Sequence, residues 1–124
     1  MNDPIGQAIF DYYNNGEAED ILIQTNYTED EHLFPGYFFR TEDQMPSIEK
    51  TALTLCKGKV LDVGAAAGCH SLPLQQRGIM VTALEKSLQA TEVMRQRGIK
   101  NVKCIDLFNY SGEKFYSILI MLFL

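Results

Sequence analysis

The chain has 124 residues, of which 46% are hydrophobic and 22% charged, as in one ordinary globular domain or part of a larger one. Its 11 Lys and Arg against 16 Asp and Glu give a net charge of -5, which disfavours binding to nucleic acid. The three cysteines show no paired spacing, no signal peptide is recognised at the first residues, and the longest apolar run is too short to span a membrane. We therefore expect a cytoplasmic protein without membrane contact.

Residues 1–44 are acidic and rich in aromatic side chains, and we interpret them as an N-terminal cap or lid segment. Apolar residues at helical spacing predict a helix over 5–14, which ends at Asn15 and Gly16. A short strand is predicted over 20–27 and a charged loop over 28–31. The run Tyr37-Phe38-Phe39-Arg40 closes the segment.

Residues 45–124 predict a series of alternating helices and strands. Pro46 predicts the start of a helix whose buried side carries Ile48, Thr51, Ala52 and Leu55. Buried strands are predicted over 60–63, 81–84, 102–105 and 115–122, with helices over 69–77 and 87–97. The sequence of residues 75–79 resembles that of residues 95–99, so two consecutive βα units of a parallel sheet are expected.

The first of these strands runs into a loop of very small residues that opens the next helix. Gly64, Ala66 and Gly68 recur every second position, and Asp62 lies two residues before the first of them. Small residues let a ligand approach the backbone closely, and a helix start offers free amide groups to a carboxylate or phosphate. A dinucleotide-binding loop spaces its glycines as G-x-G-x-x-G, which would place the third on Cys69.

The segment instead resembles motif I of the class I S-adenosylmethionine-dependent methyltransferases, Asp/Glu-x-Gly-x-Gly-x-Gly, with Ala66 at the middle glycine. The resemblance covers roughly residues 45–122. It implies an α/β, Rossmann-like methyltransferase sheet, present only through its fourth strand, behind an N-terminal helical cap over 1–44. S-adenosylmethionine is the implied cofactor, and a small molecule is the expected methyl acceptor.

The resemblance also implies roles for residues at the following strand ends. Glu85 would accept the ribose hydroxyls, Asp106 would accept the adenine amino group, and the main-chain amide of Leu107 would bind an adenine ring nitrogen. Asp62, Gly64, Ala66 and Gly68 would hold the methionine end. Arg40 would pair with the cofactor carboxylate. No catalytic residue and no metal site is predicted.

The family sheet has seven strands, and this sequence supplies four. We expect a truncated or frameshifted product, a fragment, or a short protein completed by self-association through the open edge of the fourth strand. Two other functions stay open: a non-catalytic cofactor-binding or interaction module, and a nicotinamide oxidoreductase, which the loop spacing disfavours.

Several residues in the predicted site also have purely structural interpretations. The small loop residues serve tight packing equally well, and Asp62, Glu85 and Asp106 are typical of caps or solvated strand ends. His70 is expected to face solvent from the first turn of its helix. Cys56 and Cys104 are expected to be buried.

Overall fold

The computed structural model describes residues 3–24 and 30–120. Its N-terminal part holds helix α1 (Pro4–Asn15) and an antiparallel pair of strands, β1 (Ile21–Ile23) and β2 (Glu31–Leu33). The remainder runs in the order α2 (Ser47–Leu55), β3 (Val60–Val63), α3 (Ser71–Gln76), β4 (Val81–Glu85), α4 (Leu88–Gln96), β5 (Val102–Cys104) and β6 (Ser117–Ile120). Three short 3₁₀ helices occupy Pro35–Phe39, Glu42–Gln44 and Leu107–Asn109.

The central sheet is fully parallel, with its strands in the order β5–β4–β3–β6. β3, β4 and β5 alternate with α3 and α4 because short apolar runs are separated by stretches that form helices. Ser87 accepts a hydrogen bond from the amide of Ala90 and so caps α4 as predicted. The predicted α/β, Rossmann-like sheet is confirmed.

Two of the three apolar clusters in the described residues show how the helices are held in place. One lies between the sheet and helices α2 and α3, and includes Leu53, Val60, Leu74, Val81 and Leu119. The other joins α1 and the first 3₁₀ helix to α4, and includes Ile9, Phe38, Ala67 and Val93. Because Ala67 belongs to the loop after β3, the N-terminal segment packs directly against the loop that carries the predicted site.

The predicted buried side of α2 is wrong except at Ala52, which packs against the core. Ile48 and Leu55 are 78% and 71% exposed, whereas Glu49 and Leu53 face inward. Helical spacing alone favours the apolar face, but Glu49 is drawn inward because Arg40 and His70 both bind its carboxylate. Tertiary pairing of a charged residue therefore outweighs local amphipathicity here.

Other boundaries differ in smaller ways. The strand predicted over 20–27 is limited to β1 in the described part of the chain, and residues 25–27 lie outside it. Residues 28 and 29 of the predicted loop and residues 121–122 of the last predicted strand also lie outside the described residues. Glu31 begins β2 instead of lying in a loop. Cys69 and His70 form a turn before α3. Within the described residues, no helix has the length and apolar character needed to cross a bilayer.

Candidate cofactor site

The loop over 64–68, between β3 and α3, has an unusual backbone. Gly64 has a φ of 69° and Ala66 a φ of 53°, so both lie in the left-handed region. A side chain at Gly64 would meet no atom within 4 Å, which means that this part of the loop borders open space. The backbone conformation of Ala66 is strained, because a non-glycine residue in this region destabilises the fold by about 1–2 kcal/mol.

Gly68 is small for a different reason. Its φ is 84°, and a Cβ atom there would lie only 2.1 Å from Cδ1 of Ile99 and 3.2 Å from Cγ of Met94. The missing side chain allows the loop before α3 to pack against the last turn of α4 and against Ile99 beyond it. The packing interpretation therefore applies to Gly68, and its cofactor-binding role stays a prediction.

Asp62 is the most buried carboxylate of the site, with 1% of its surface exposed. Ser71 donates a hydrogen bond of 2.7 Å to its Oδ2, while Oδ1 is buried without a hydrogen-bond partner among the described residues. Burial raises the pKa of Asp62 to about 6, although the Ser71 hydrogen bond and the nearby His70 work in the opposite direction. A buried, half-satisfied carboxylate is costly unless a ligand completes it.

Glu85 connects the loop to the next strand end. Its Oε1 accepts a 3.0 Å hydrogen bond from the amide of Ala66, and its Oε2 accepts a 2.8 Å hydrogen bond from the amide of Ser87. The carboxylate is half-buried. Each oxygen keeps a further lone pair. The side chain can thus accept hydroxyl donors while it holds two backbone segments.

Asp106 follows β5, the neighbour of β4 in the sheet. Its Oδ1 accepts a 3.0 Å hydrogen bond from the amide of Phe108, so it caps the 3₁₀ helix that begins at Leu107. Asp106 thus has the expected capping role, and its second carboxylate oxygen makes no hydrogen bond within the described residues, so it can accept a hydrogen bond from a ligand. Leu107 is 39% exposed.

The structure brings three of the predicted cofactor-binding carboxylates to neighbouring strand ends. β3, β4 and β5 are adjacent and parallel, so Asp62, Glu85 and Asp106 belong to neighbouring strand ends. The Ala66–Glu85 hydrogen bond joins the first two ends directly. Within the described residues, no three His, Cys, Asp or Glu side chains gather in a way that would hold a metal ion.

Arg40 lies in a different environment. Its two terminal nitrogens each donate to one oxygen of Glu49 at 2.9 Å, its Nε donates to the carbonyl of Tyr37, and its guanidinium stacks 3.9 Å from the centre of the Tyr37 ring. The Glu49 hydrogen bonds raise the pKa of Arg40 above its ordinary value against the effect of burial. Its charge is thus already paired inside the protein, and its contact with a cofactor carboxylate stays a prediction.

His70 does not face solvent, so that expectation is wrong. It is 7% exposed, and its Nε2 lies 2.8 Å from Oε1 of Glu49. Burial lowers its pKa, but contacts with Cys69, Glu49 and Asp62 outweigh burial and raise it to about 9. The expected burial of the cysteines is also wrong in part, because Cys56 is half-buried and Cys104 is exposed.

Sequence reasoning missed three groups that support the site. Ser71 holds Asp62, and Arg97 donates a 2.6 Å hydrogen bond to the carbonyl of Ala67 while lying 5.0 Å from the centre of the Phe39 ring. Asp3 accepts a hydrogen bond from Ser87. Only Ser87 could be recognised from the local sequence, because it directly precedes a helix. The contacts of Ser71, Arg97 and Asp3 join residues that are far apart in the sequence or have no characteristic spacing.

No protein-family model matches the chain, and no curated protein matches it. Among solved structures, a SAM-dependent methyltransferase from Bacteroides fragilis, in complex with S-adenosyl-L-homocysteine, is 37% identical with a TM-score of 0.87. That match covers 94% of this chain and 48% of the relative, so the chain spans about half the relative's length.

Two more distant structures share the fold. The plantazolicin methyltransferase BpumL, in complex with SAH, is 22% identical with a TM-score of 0.52, over 96% of this chain and 42% of that protein. A Pyrococcus abyssi tRNA (uracil-54, C5)-methyltransferase is 18% identical with a TM-score of 0.52, over 82% of this chain and 27% of that protein. The strand order, the small-residue loop after β3 and the similarity to the Bacteroides fragilis enzyme agree with the resemblance seen in the sequence: the chain has the Rossmann-like fold of class I S-adenosylmethionine-dependent methyltransferases and is similar to such an enzyme over about half of that enzyme's length.

Proposed function

We propose that the chain binds S-adenosylmethionine at the carboxyl ends of β3, β4 and β5 and takes part in methyl transfer to a small-molecule acceptor. The bound cofactor would supply an electrophilic methyl group on its sulfonium centre. The chain's own residues bind and orient it. The observation that carries the proposal is the buried Oδ1 of Asp62, which has no hydrogen-bond partner among the described residues beside a loop that opens to free space.

The chemistry of the site fits this cofactor. An ammonium group such as that of the methionine moiety would satisfy Oδ1 of Asp62 and favour its ionised form. Glu85 has acceptor capacity left for a ribose diol. Asp106 and Leu107 lie at the third strand end, where an adenine ring would complete the ligand. Gly64 leaves room for close approach of the methionine end.

The proposed acceptor class rests on charge. A net charge of -5 disfavours a polyanionic substrate, because each phosphate would approach a negative protein. The similar structures do not narrow the acceptor, since one of them is described as a tRNA methyltransferase and another as the plantazolicin methyltransferase. A small neutral or cationic acceptor is the class we propose.

Calorimetry with S-adenosyl-L-homocysteine tests the binding site. We expect Asp62→Asn and Glu85→Gln each to weaken binding by about 1–3 kcal/mol, or about 5- to 150-fold. Glu92→Gln is the matched control, because Glu92 is an exposed carboxylate on α4 whose contact with Arg95 spans 3.7 Å at the surface. Unchanged affinity in both site variants would refute the proposed roles.

A methyl-transfer assay separates the remaining alternatives. Binding of the cofactor with no turnover on any amine, hydroxyl or thiol acceptor would assign the chain to the non-catalytic binding module. Displacement of S-adenosyl-L-homocysteine by NAD at equal concentration would favour the oxidoreductase. We propose the methyltransferase over both because the loop spacing and the Asp62 environment fit an ammonium-bearing ligand.

We also propose self-association through β6. In the described part of the chain, β6 pairs with β3 on one side only, and Ile118 and Ile120 are 62% and 54% exposed. An unpaired apolar edge favours pairing with another chain. A cytoplasmic location is inferred from Cys56, Cys69 and Cys104, all three of which are free thiols.

A further inference from the structure

The side chain of Asp3 joins the starts of two helices. Its Oδ1 accepts a 3.0 Å hydrogen bond from the amide of Gly6, which caps α1. Its Oδ2 accepts a 2.5 Å hydrogen bond from Oγ of Ser87, the residue that caps α4. A single carboxylate thus serves two helix N-termini, where a negative charge is favourable.

The contact continues from Ser87 into the candidate site. The amide of Ser87 donates to Oε2 of Glu85 at 2.8 Å, and Oε1 of Glu85 accepts from the amide of Ala66 at 3.0 Å. A continuous series of hydrogen bonds therefore leads from Asp3, through Ser87 and Glu85, to the loop after β3. Every one of these groups is at least partly buried, so the bonds are shielded from water.

The packing around Asp3 is tight enough for the position of Asp3 to fix the position of Ser87. A Cβ atom at Gly6 would lie 2.1 Å from Oδ2 of Asp3 and 2.2 Å from Oγ of Ser87, so only glycine permits the approach of α1 to this point. Helix α1 and α4 also share a second side-chain hydrogen bond, from Gln89 Nε2 to Gln7 Oε1 at 2.9 Å, which is exposed and does not lead to Glu85.

We propose that Asp3 is a positioning residue of the cofactor site: through Ser87 it fixes the carboxylate of Glu85 in the orientation that accepts a ribose diol. The inference rests on the proposed function, since it concerns the same ligand. It gives helix α1 a role beyond covering the domain. The N-terminal segment sets how well the site distinguishes a ribose from a sugar that lacks its hydroxyls.

The test compares adenosine with 2′,3′-dideoxyadenosine as competitors of S-adenosyl-L-homocysteine on the full chain. The ratio of their inhibition constants measures diol recognition, and Glu85→Gln gives the value without a functioning carboxylate. Asp3→Ser keeps a good N-cap for α1, but its single short oxygen cannot reach both Gly6 and Ser87. We expect this variant to lose about three- to tenfold of the adenosine preference.

Two further variants separate positioning from stability. Asp3→Asn has polar atoms that span both contacts, so it should retain the preference. Gln7→Ala removes the other hydrogen bond between α1 and α4 and should also retain it. An unchanged ratio in Asp3→Ser, or an equal loss in Gln7→Ala, would overturn the inference while leaving cofactor binding intact. Failure of the unaltered chain to bind S-adenosyl-L-homocysteine would instead overturn the proposed function, and the inference with it.

Discussion

Replacing Asp62 by asparagine should change how the stability of the protein depends on pH. The pKa of this carboxyl is raised to about 6 in the folded protein, against about 3.9 in an unfolded chain. Between these values the folded state keeps a proton that the unfolded state releases. The contribution of Asp62 to stability is therefore largest below pH 4 and is lost as the pH rises towards 6, by about 3 kcal/mol in total for a shift of about two units.

An asparagine at position 62 does not titrate, so it removes this slope. It also leaves one buried polar atom without a partner where Oδ1 now lies, at a cost of about 1–3 kcal/mol that does not depend on pH. The diagnostic quantity is thus the difference in unfolding free energy between Asp62→Asn and the unaltered chain. We expect that difference to move by about 2 kcal/mol in favour of asparagine between pH 4 and pH 7.

Urea unfolding at half-unit pH steps measures this difference directly. Ser71→Ala provides a second check, because it removes the hydrogen bond that partly lowers the Asp62 pKa and so should move the transition to higher pH. Stability curves that stay parallel for the asparagine variant and the unaltered chain would show that Asp62 is not a buried, proton-binding carboxyl and would remove the main support for the proposed site.

The remaining predictions concern the loop and the sheet edge. Ala66→Gly should stabilise the protein by about 0.5–1 kcal/mol in urea unfolding, because relief of the left-handed strain exceeds the entropy cost of glycine; a loss of stability would contradict this. Gly68→Ala should destabilise it by about 1–3 kcal/mol through collision with Ile99, and Ile99→Val, which removes the colliding Cδ1, should restore part of that loss. Ile118→Lys should abolish any concentration-dependent association seen by sedimentation, whereas Ile48→Lys, an exposed change on α2, should not.

The parts of the fold that were predictable share a local cause. β3 was predicted over the same four residues that form it, because its apolar run is bounded by Lys59 and Gly64, and β4 differs by one residue. The parallel arrangement was expected because residues 75–79 and 95–99 resemble each other at a spacing of about one helix plus one strand. Asp62, Glu85 and Asp106 could be placed at neighbouring strand ends for the same reason, since a strand boundary is a local feature.

The surroundings of those carboxylates were not predictable, because they depend on pairing between distant residues. Nothing in the spacing of Arg40, Glu49 and His70 indicates that the three side chains meet, and their meeting is what turns α2 and buries the histidine. Asp3 and Ser87 are 84 positions apart and come together only when α1 packs on α4. Local periodicity cannot specify such contacts, since it indicates which face of an element is apolar but not which charged side chains pair in the folded protein.

Two unfavourable features and an open space lie within five consecutive residues, and their clustering favours a ligand site there. Asp62 is buried with an unsatisfied oxygen, Gly64 borders empty space, and Ala66 holds a strained backbone. The unsatisfied oxygen of Asp62 and the strained backbone of Ala66 each lower stability, whereas the open space beside Gly64 leaves room for a ligand next to them. Folded proteins concentrate such costs where function requires them. A ligand that brings an ammonium group to Asp62 would offset the first cost, and close approach to the loop would fill the open space.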